Sequence, residues 1–151
     1  AATAWQLYNS AKKYIGNGTI TLGAGVFKMV LAQTASNAST FTLSTYASVT
    51  NEVAAAGGYV TGGRNLVPAT AQWVQGASAK QQKFTMSAVG LAFTASGANL
   101  VNVRYAILRN STSSGAGKLL CFCQLSSSQF TVTSPNTLTV LPAATGIFTL
   151  T

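Results

Sequence analysis

The sequence of 151 residues contains no histidine and a single carboxylate side chain, Glu52. These absences exclude most enzyme chemistry, because general acid–base catalysis ordinarily needs a histidine or a tuned carboxylate. Glycoside hydrolysis normally needs two carboxyl groups, and a Ser-His-Asp or Cys-His nucleophile would lack its base. The usual ligands of a catalytic metal ion are missing as well. The sequence therefore predicts a protein that is not an enzyme and has no catalytic residue, cofactor or metal site.

Charge is scarce and almost all of one sign. Charged residues make up 7% of the chain against 48% hydrophobic ones, and nine Lys and Arg give a net charge of +8. A basic excess favours nucleic acid, an anionic membrane or an acidic protein as partner. The cations are spread over the whole chain, whereas nucleic-acid-binding proteins tend to concentrate them on one face. The spread argues against nucleic acid and favours an acidic protein neighbour.

Long apolar runs are absent too. None approaches the roughly 18–20 residues that span a bilayer, and in the first 16 residues the cations follow the apolar positions, unlike in a secretory signal. We therefore expect synthesis in the cytoplasm and no membrane partner.

Cysteine is limited to Cys121 and Cys123, which would share one face of a strand. Two thiols do not complete a structural zinc site, and their spacing differs from the C-x-x-C of redox enzymes. We expect buried free thiols, because unpaired cysteine is commonly buried.

What the chain does contain begins with one helical pattern, over residues 4–15. Thr3 is its predicted N-cap and Gly16 its predicted stop. Several of its side chains are candidate contacts with a partner, although the aromatic ones suit either docking or core packing. These candidates are Trp5, Tyr8, Lys12, Lys13 and Tyr14.

Beyond the helix, short apolar runs broken by Gly, Ser, Asn and Pro are typical of an antiparallel β-sandwich or barrel-like domain. The predicted strands are residues 26–31, 71–75, 81–86, 89–94, 100–109, 118–124, 129–133, 137–141 and 147–150. Residues 32–50 are predicted to form a long loop of the kind that carries binding contacts. With no repeat or linker visible, we expect residues 1–151 to form a single, mainly β domain. Its parts would be an N-terminal helical arm at 1–16 and a β domain at 17–151.

Two further features invite a functional interpretation. Glu52 is the one carboxylate among nine cations, so we expect it to form a structural ion pair with a Lys or Arg. Residues 113–119 look superficially like a phosphate-binding loop. However, Thr112 and Leu119 stand where that motif needs Gly and Ser or Thr, and no helix is expected to follow. We interpret this segment as a hairpin loop.

Six segments in order resemble a family of small virion proteins of tailed bacteriophages, some of which are capsid decoration (cement) proteins. They are residues 5–18, 19–22 with 26–29, 46–53, 57–63, 104–110 and 146–148. Similar proteins carry several acidic residues where this chain has residues 21–25 and 121–125, which implies a different neighbour here.

The resemblance implies a virion structural protein at the capsid surface that binds and stabilises the shell of major capsid protein, as a homotrimer. Low charge suits such a role, because interface cores are depleted in charged residues. A net positive charge suits binding to an acidic shell, because complementary electrostatic potentials steer assembly. Two alternatives stay open: a tail, adaptor or fibre component of the virion, and a basic nucleic-acid-binding module.

Overall fold

Short antiparallel strands make up most of the regular structure, with one α-helix near the N-terminus. The computed structural model describes residues 2–66, 73–111 and 117–151. In these residues the elements are β1 (Gln6–Leu7), α1 (Asn9–Gly16), β2 (Phe27–Gln33), a 3₁₀ turn (Tyr46–Ser48), β3 (Arg64–Asn65), β4 (Trp73–Gln75), β5 (Gln82–Phe84), β6 (Leu91–Thr94), β7 (Leu100–Asn110), β8 (Lys118–Gln124), β9 (Phe130–Val132), β10 (Thr137–Val140) and β11 (Phe148–Leu150). The mainly β, antiparallel fold predicted from the sequence is confirmed.

The main sheet has the strand order β1–β8–β7–β2–β3, and β9 pairs with the first part of β7. β7 is the longest strand and lies between β2 and β8. In β8 five consecutive residues, 119–123, are buried. A strand buried on both of its sides reads as a continuous apolar run rather than as an alternation. The main sheet is therefore covered on both faces.

One face is covered by the small sheet β4–β5–β11, and the small sheet β6–β10 buries Leu91, Phe93 and Val140 in the same core. Phe27 of β2 meets Phe84 of β5 edge to face, with ring centroids 4.9 Å apart, and Phe148 of β11 stacks on Phe84 at 5.4 Å. Edge-to-face and offset-stacked rings are the favoured aromatic geometries in a core. These contacts join the layers into a sandwich-like core.

The opposite face is covered by α1 and the long connection between β2 and β3. Paired residues share a face, so Phe27 lies on the face of Asn110 and Phe122 on the face of Ile107. Asn110 and Ile107 are three residues apart on β7 and therefore point to opposite faces, so Phe122 lies on the side of the sheet opposite Phe27. There it contacts Tyr8, with ring centroids 5.0 Å apart. Face assignment thus follows from the two-residue period of the strands.

The predicted helix over residues 4–15 is wrong for its first half, because α1 begins at Asn9. Residues 3–8 instead run along the edge of β8. The Thr3 amide donates to the Gln124 carbonyl at 2.8 Å and the Tyr8 amide to the Leu120 carbonyl at 3.1 Å. An open sheet edge offers backbone partners that override a weak helical preference. The predicted end at Gly16 is confirmed.

Each predicted strand is present with ends shifted by at most two residues, as far as the structure describes it. Residues 71 and 72 of one predicted strand, and residues 113–116 of the predicted hairpin loop, lie outside the described residues. The predicted loop at 32–50 begins with the end of β2 and contains the 3₁₀ turn. The two-residue strands β1 and β3 were not predicted, because such short pairings leave no periodic pattern.

Candidate functional site

Tyr8, one of the candidate contacts, is fully buried. Its hydroxyl donates to the Ala38 carbonyl at 2.5 Å, and its ring packs on Phe122. Burial raises the pKa of Tyr8 above its ordinary value, with a smaller contribution from Cys121. Tyr8 is therefore a core residue that holds the long connection against α1, and its assignment as a contact residue is corrected.

The other candidate contacts reach the surface at two places. Lys12 and Lys13 are exposed on α1, and Tyr14 is half-buried beside them. The Lys118 ammonium lies 5.0 Å from the centroid of the Tyr14 ring, a favourable cation–π geometry. Trp5 precedes the helix and lies half-buried in the arm along β8. The structure thus separates Trp5 from the helical candidates with which the sequence grouped it.

Trp5 lines a cavity of about 620 Å³, which we call the N-terminal groove. Its walls are the N-terminal arm, the ends of β8 and β9, strand β10 and the turn that follows. The lining consists of Ala2, Thr3, Ala4, Trp5, Cys123, Leu125, Phe130, Leu138, Thr139, Val140, Leu141, Pro142, Ala143, Thr145, Gly146 and Ile147. None of these residues is charged, and Leu141 is 59% exposed at the rim. The groove is a charge-free, largely apolar surface in a strongly cationic protein.

Glu52 lies beside β2, bridged to Ala32. One carboxylate oxygen, Oε1, accepts from the Tyr59 hydroxyl at 2.6 Å and from the Gly62 amide at 2.8 Å. The other, Oε2, accepts from the Tyr46 hydroxyl. The predicted ion pair is replaced, among the described residues, by three neutral donors, which stabilise the ionised carboxylate through hydrogen bonds instead of an opposite charge.

The carboxylate of Glu52 affects the pKa values of Tyr46 and Tyr59. Burial first, and then the hydrogen bond to Glu52, raise the pKa of Tyr46 to about 12. The same causes raise the pKa of Tyr59 above its ordinary value. Both phenols therefore stay protonated at neutral pH and act as donors.

Arg109 of β7 completes this cluster. Its guanidinium carbon lies 4.5 Å from the centroid of the Tyr46 ring, and its Nε donates to the Gly62 carbonyl at 3.1 Å. Gly62 and Gly63 both have positive φ angles, of 93° and 85°. A Cβ on Gly63 would collide with the Met29 carbonyl of β2, so the chain passes the sheet where only glycine fits. We call Glu52, Tyr46, Tyr59, Gly62 and Arg109 the Glu52 cluster.

Cys121 and Cys123 are both free and buried, as predicted. Burial raises the pKa of Cys123 to about 12, partly offset by a hydrogen bond from the backbone at Ala106. Burial, with Cys123 adding to it, raises the pKa of Cys121 well above its ordinary value. Because the thiolate is the reactive form, these thiols are packing groups at neutral pH.

Two other kinds of site are absent from the described residues. No group of three or more Cys, Asp or Glu side chains comes together there to hold a metal ion. No helix in residues 2–66, 73–111 or 117–151 is long and apolar enough to cross a membrane.

Comparisons with protein families, with curated proteins and with solved structures each find no match. The resemblance to tailed-phage virion proteins therefore stays a prediction, and the case for a function depends on the surfaces described above.

Proposed function

We propose that this chain is a non-enzymatic structural protein of a tailed-phage virion. In this proposal it is a capsid decoration protein at the capsid surface, where it binds the shell of major capsid protein and stabilises it. It does so as a homotrimer. The observation that carries the proposal is the N-terminal groove, a charge-free surface on a chain whose net charge is +8.

The groove supports contact with a second copy of this chain. Two copies repel through their positive charge, so they associate best where neither presents a cation. The groove meets this condition, and its half-exposed Trp5 and rim Leu141 are apolar groups of the kind found at interface cores. The cations elsewhere are then left for a partner of opposite charge.

The position of the groove also supports two simultaneous contacts. Cys123, which lines the groove, is paired with Ala106, three residues along β7 from Arg109. Because side chains alternate along a strand, Cys123 and Arg109 belong to opposite faces of the main sheet. A copy in the groove therefore leaves the side of the sheet that carries Arg109 to a second partner, such as the shell protein.

Self-association is tested by light scattering after size-exclusion chromatography of the wild type and of Leu141→Lys. We expect the wild type to be a trimer. The lysine should raise the protein concentration needed for trimer formation at least tenfold, because it places like charges in the contact. Val60→Lys is the matched control, since Val60 is 63% exposed and lies away from the groove. A monomeric wild type at 100 µM, or a Leu141→Lys trimer as stable as the control, would refute the groove contact.

Binding to the capsid is tested with particles produced from the genome that encodes the chain. A labelled copy viewed by negative-stain microscopy should decorate the head, and the purified protein should sediment with expanded shells. Label on the tail alone would instead support a tail, adaptor or fibre component. DNA affinity that falls steeply with salt would support the nucleic-acid alternative, because counterion release produces that dependence.

A further inference from the structure

The Arg109 side chain is held by two contacts, with Tyr46 and with Gly62. The guanidinium lies over the Tyr46 ring, and its Nε–H donates to the Gly62 carbonyl. Among the described residues, its two terminal nitrogens have no acceptor. An arginine normally loses much rotamer freedom when it binds a ligand. Here the fold has already removed that freedom, so binding through the terminal nitrogens costs less.

Lys28 lies directly opposite Arg109 in the pairing of β2 with β7. Residues in this position project from the same face, with Cβ atoms about 4.5–5.5 Å apart. Both side chains are half-buried, and Lys28 has no hydrogen-bond, ion-pair or ring partner in the described part of the chain. Like charges directly opposite each other destabilise a sheet. An acidic group bound beside both side chains would relieve the repulsion between these two cations.

Among the described residues, the chain's one carboxylate makes no direct ion pair with either cation. Both oxygens of Glu52 are engaged by Tyr46, Tyr59 and the Gly62 amide. The same bonds fix the Tyr46 ring and the Gly62 peptide, which are the two groups that hold Arg109. Glu52 is thus a positioning residue for Arg109 and does not bond to the terminal nitrogens of its guanidinium.

We infer that Lys28 and Arg109 form a binding site for a carboxylate side chain of an acidic partner protein. The planar guanidinium fork matches the two oxygens of a carboxylate, and Lys28 adds a point charge beside it. Nucleic-acid-binding proteins tend to concentrate many cations on one face, whereas the cations of this chain are spread over its whole length. The inference rests on the proposed function, in which the partner is the capsid shell protein.

The site itself is tested by a nuclear magnetic resonance titration of the ¹⁵N-labelled protein with sodium acetate, at constant ionic strength maintained with sodium chloride. We expect saturable shifts of the Arg109 Nε–H and of the backbone amides around Lys28. Lys28→Gln and Arg109→Lys should each weaken acetate binding at least fivefold. The matched controls are Lys80→Gln, an exposed lysine with the same loss of charge, and Arg104→Lys.

Three results would overturn the inference: shifts no larger than those caused by chloride, site variants that bind acetate as well as the controls, or DNA binding that Lys28→Gln weakens while acetate causes no shift. Lys28→Gln leaves every contact of Arg109 in place, so it remains informative if Arg109→Lys folds poorly.

The partner is tested separately by sedimentation with expanded shells. Lys28→Gln should weaken shell binding about tenfold relative to Lys80→Gln, and equal binding by these two variants would contradict the assignment of the shell as the ligand. If the wild type does not bind shells at all, the proposed function fails, while the acetate titration still decides whether the site exists.

Discussion

Glu52 shows how a lone carboxylate is accommodated without a direct cation. Two phenols and a backbone amide donate hydrogen bonds to it. Arg109 holds two of these donor residues in place, because it lies over the Tyr46 ring and donates to the Gly62 carbonyl. Hydrogen bonds to a charged acceptor are stronger than those between neutral groups. The arrangement joins a long connection to two strands through one side chain, so the local structure depends on each donor.

Tyr59→Phe tests this dependence. The Tyr59 hydroxyl donates to Glu52 Oε1 and accepts from the Leu31 amide at 3.1 Å. Its removal leaves the buried Leu31 amide without this partner and takes one of the two donors from Glu52 Oε1. We expect a loss of roughly 1–3 kcal/mol in the free energy of unfolding, measured by urea titration. Tyr105→Phe is the control, because the Tyr105 hydroxyl has no hydrogen-bond partner among the described residues. Equal losses in the two variants would show that the Glu52 cluster adds no stability of its own.

Among the elements, β7 organises the core because it pairs with β2, β8 and β9. Ile107 lies fully buried in the middle of this strand, where it is paired with Val30 and Phe122. Ile107→Ala should therefore lower the free energy of unfolding by about 2–5 kcal/mol. Val101→Ala, at a 40% exposed position of the same strand, should lower it by much less. A similar urea midpoint for both variants would show that Ile107 is not a central residue of the core.

The strands of the main sheet could be predicted from the sequence because each has its own apolar pattern. In β7 and β8 the local pattern and the tertiary pairing agree, so the predicted and observed bounds nearly coincide. The arm before α1 could not be predicted in the same way. Trp5 and Tyr8 have helical spacing, but the free edge of β8 determines their conformation.

The candidate sites were less accessible to prediction than the fold. Tyr8 and Trp5 look alike as aromatic residues three positions apart, yet one is core and the other lines a groove. The Glu52 cluster draws residues from 46 to 109, and only the chain path brings them together. The pairing of Lys28 with Arg109 depends on strand register, which no local pattern reports.

For the whole molecule, the missing ionisable groups shape the response to pH. Without histidine, no side chain has an ordinary pKa between about 5 and 8, so we expect nearly constant stability across that range. Alkaline conditions differ. The pKa values of Cys123 and Tyr46 are raised by burial to about 12, from 9.0 and 10.0. Above about pH 9 the unfolded chain releases these protons while the folded chain keeps them, so stability falls as pH rises towards 12.

Urea midpoints measured at pH 6, 8, 10 and 11 check this profile. A plateau up to pH 8 followed by a steady decline is the expected result. The stability of the double variant Cys121→Ala, Cys123→Ala should decline less steeply between pH 8 and 10, whatever its stability at pH 6, because its unfolded state has no thiols to ionise. A profile as flat at pH 11 as at pH 6 would contradict the assignment of buried, protonated thiols and phenols.

The close passage of Gly62 and Gly63 past β2 has a use in the search for distant relatives. Because Gly63 abuts the Met29 carbonyl and Gly62 approaches the Arg109 guanidinium, neither position accommodates a side chain without displacement. Chains that preserve this crossing would retain a glutamate, nine intervening residues and a glycine pair, even after most other positions have diverged. A query built on that spacing, with an arginine in the long central strand, would detect homology that full-length alignment overlooks.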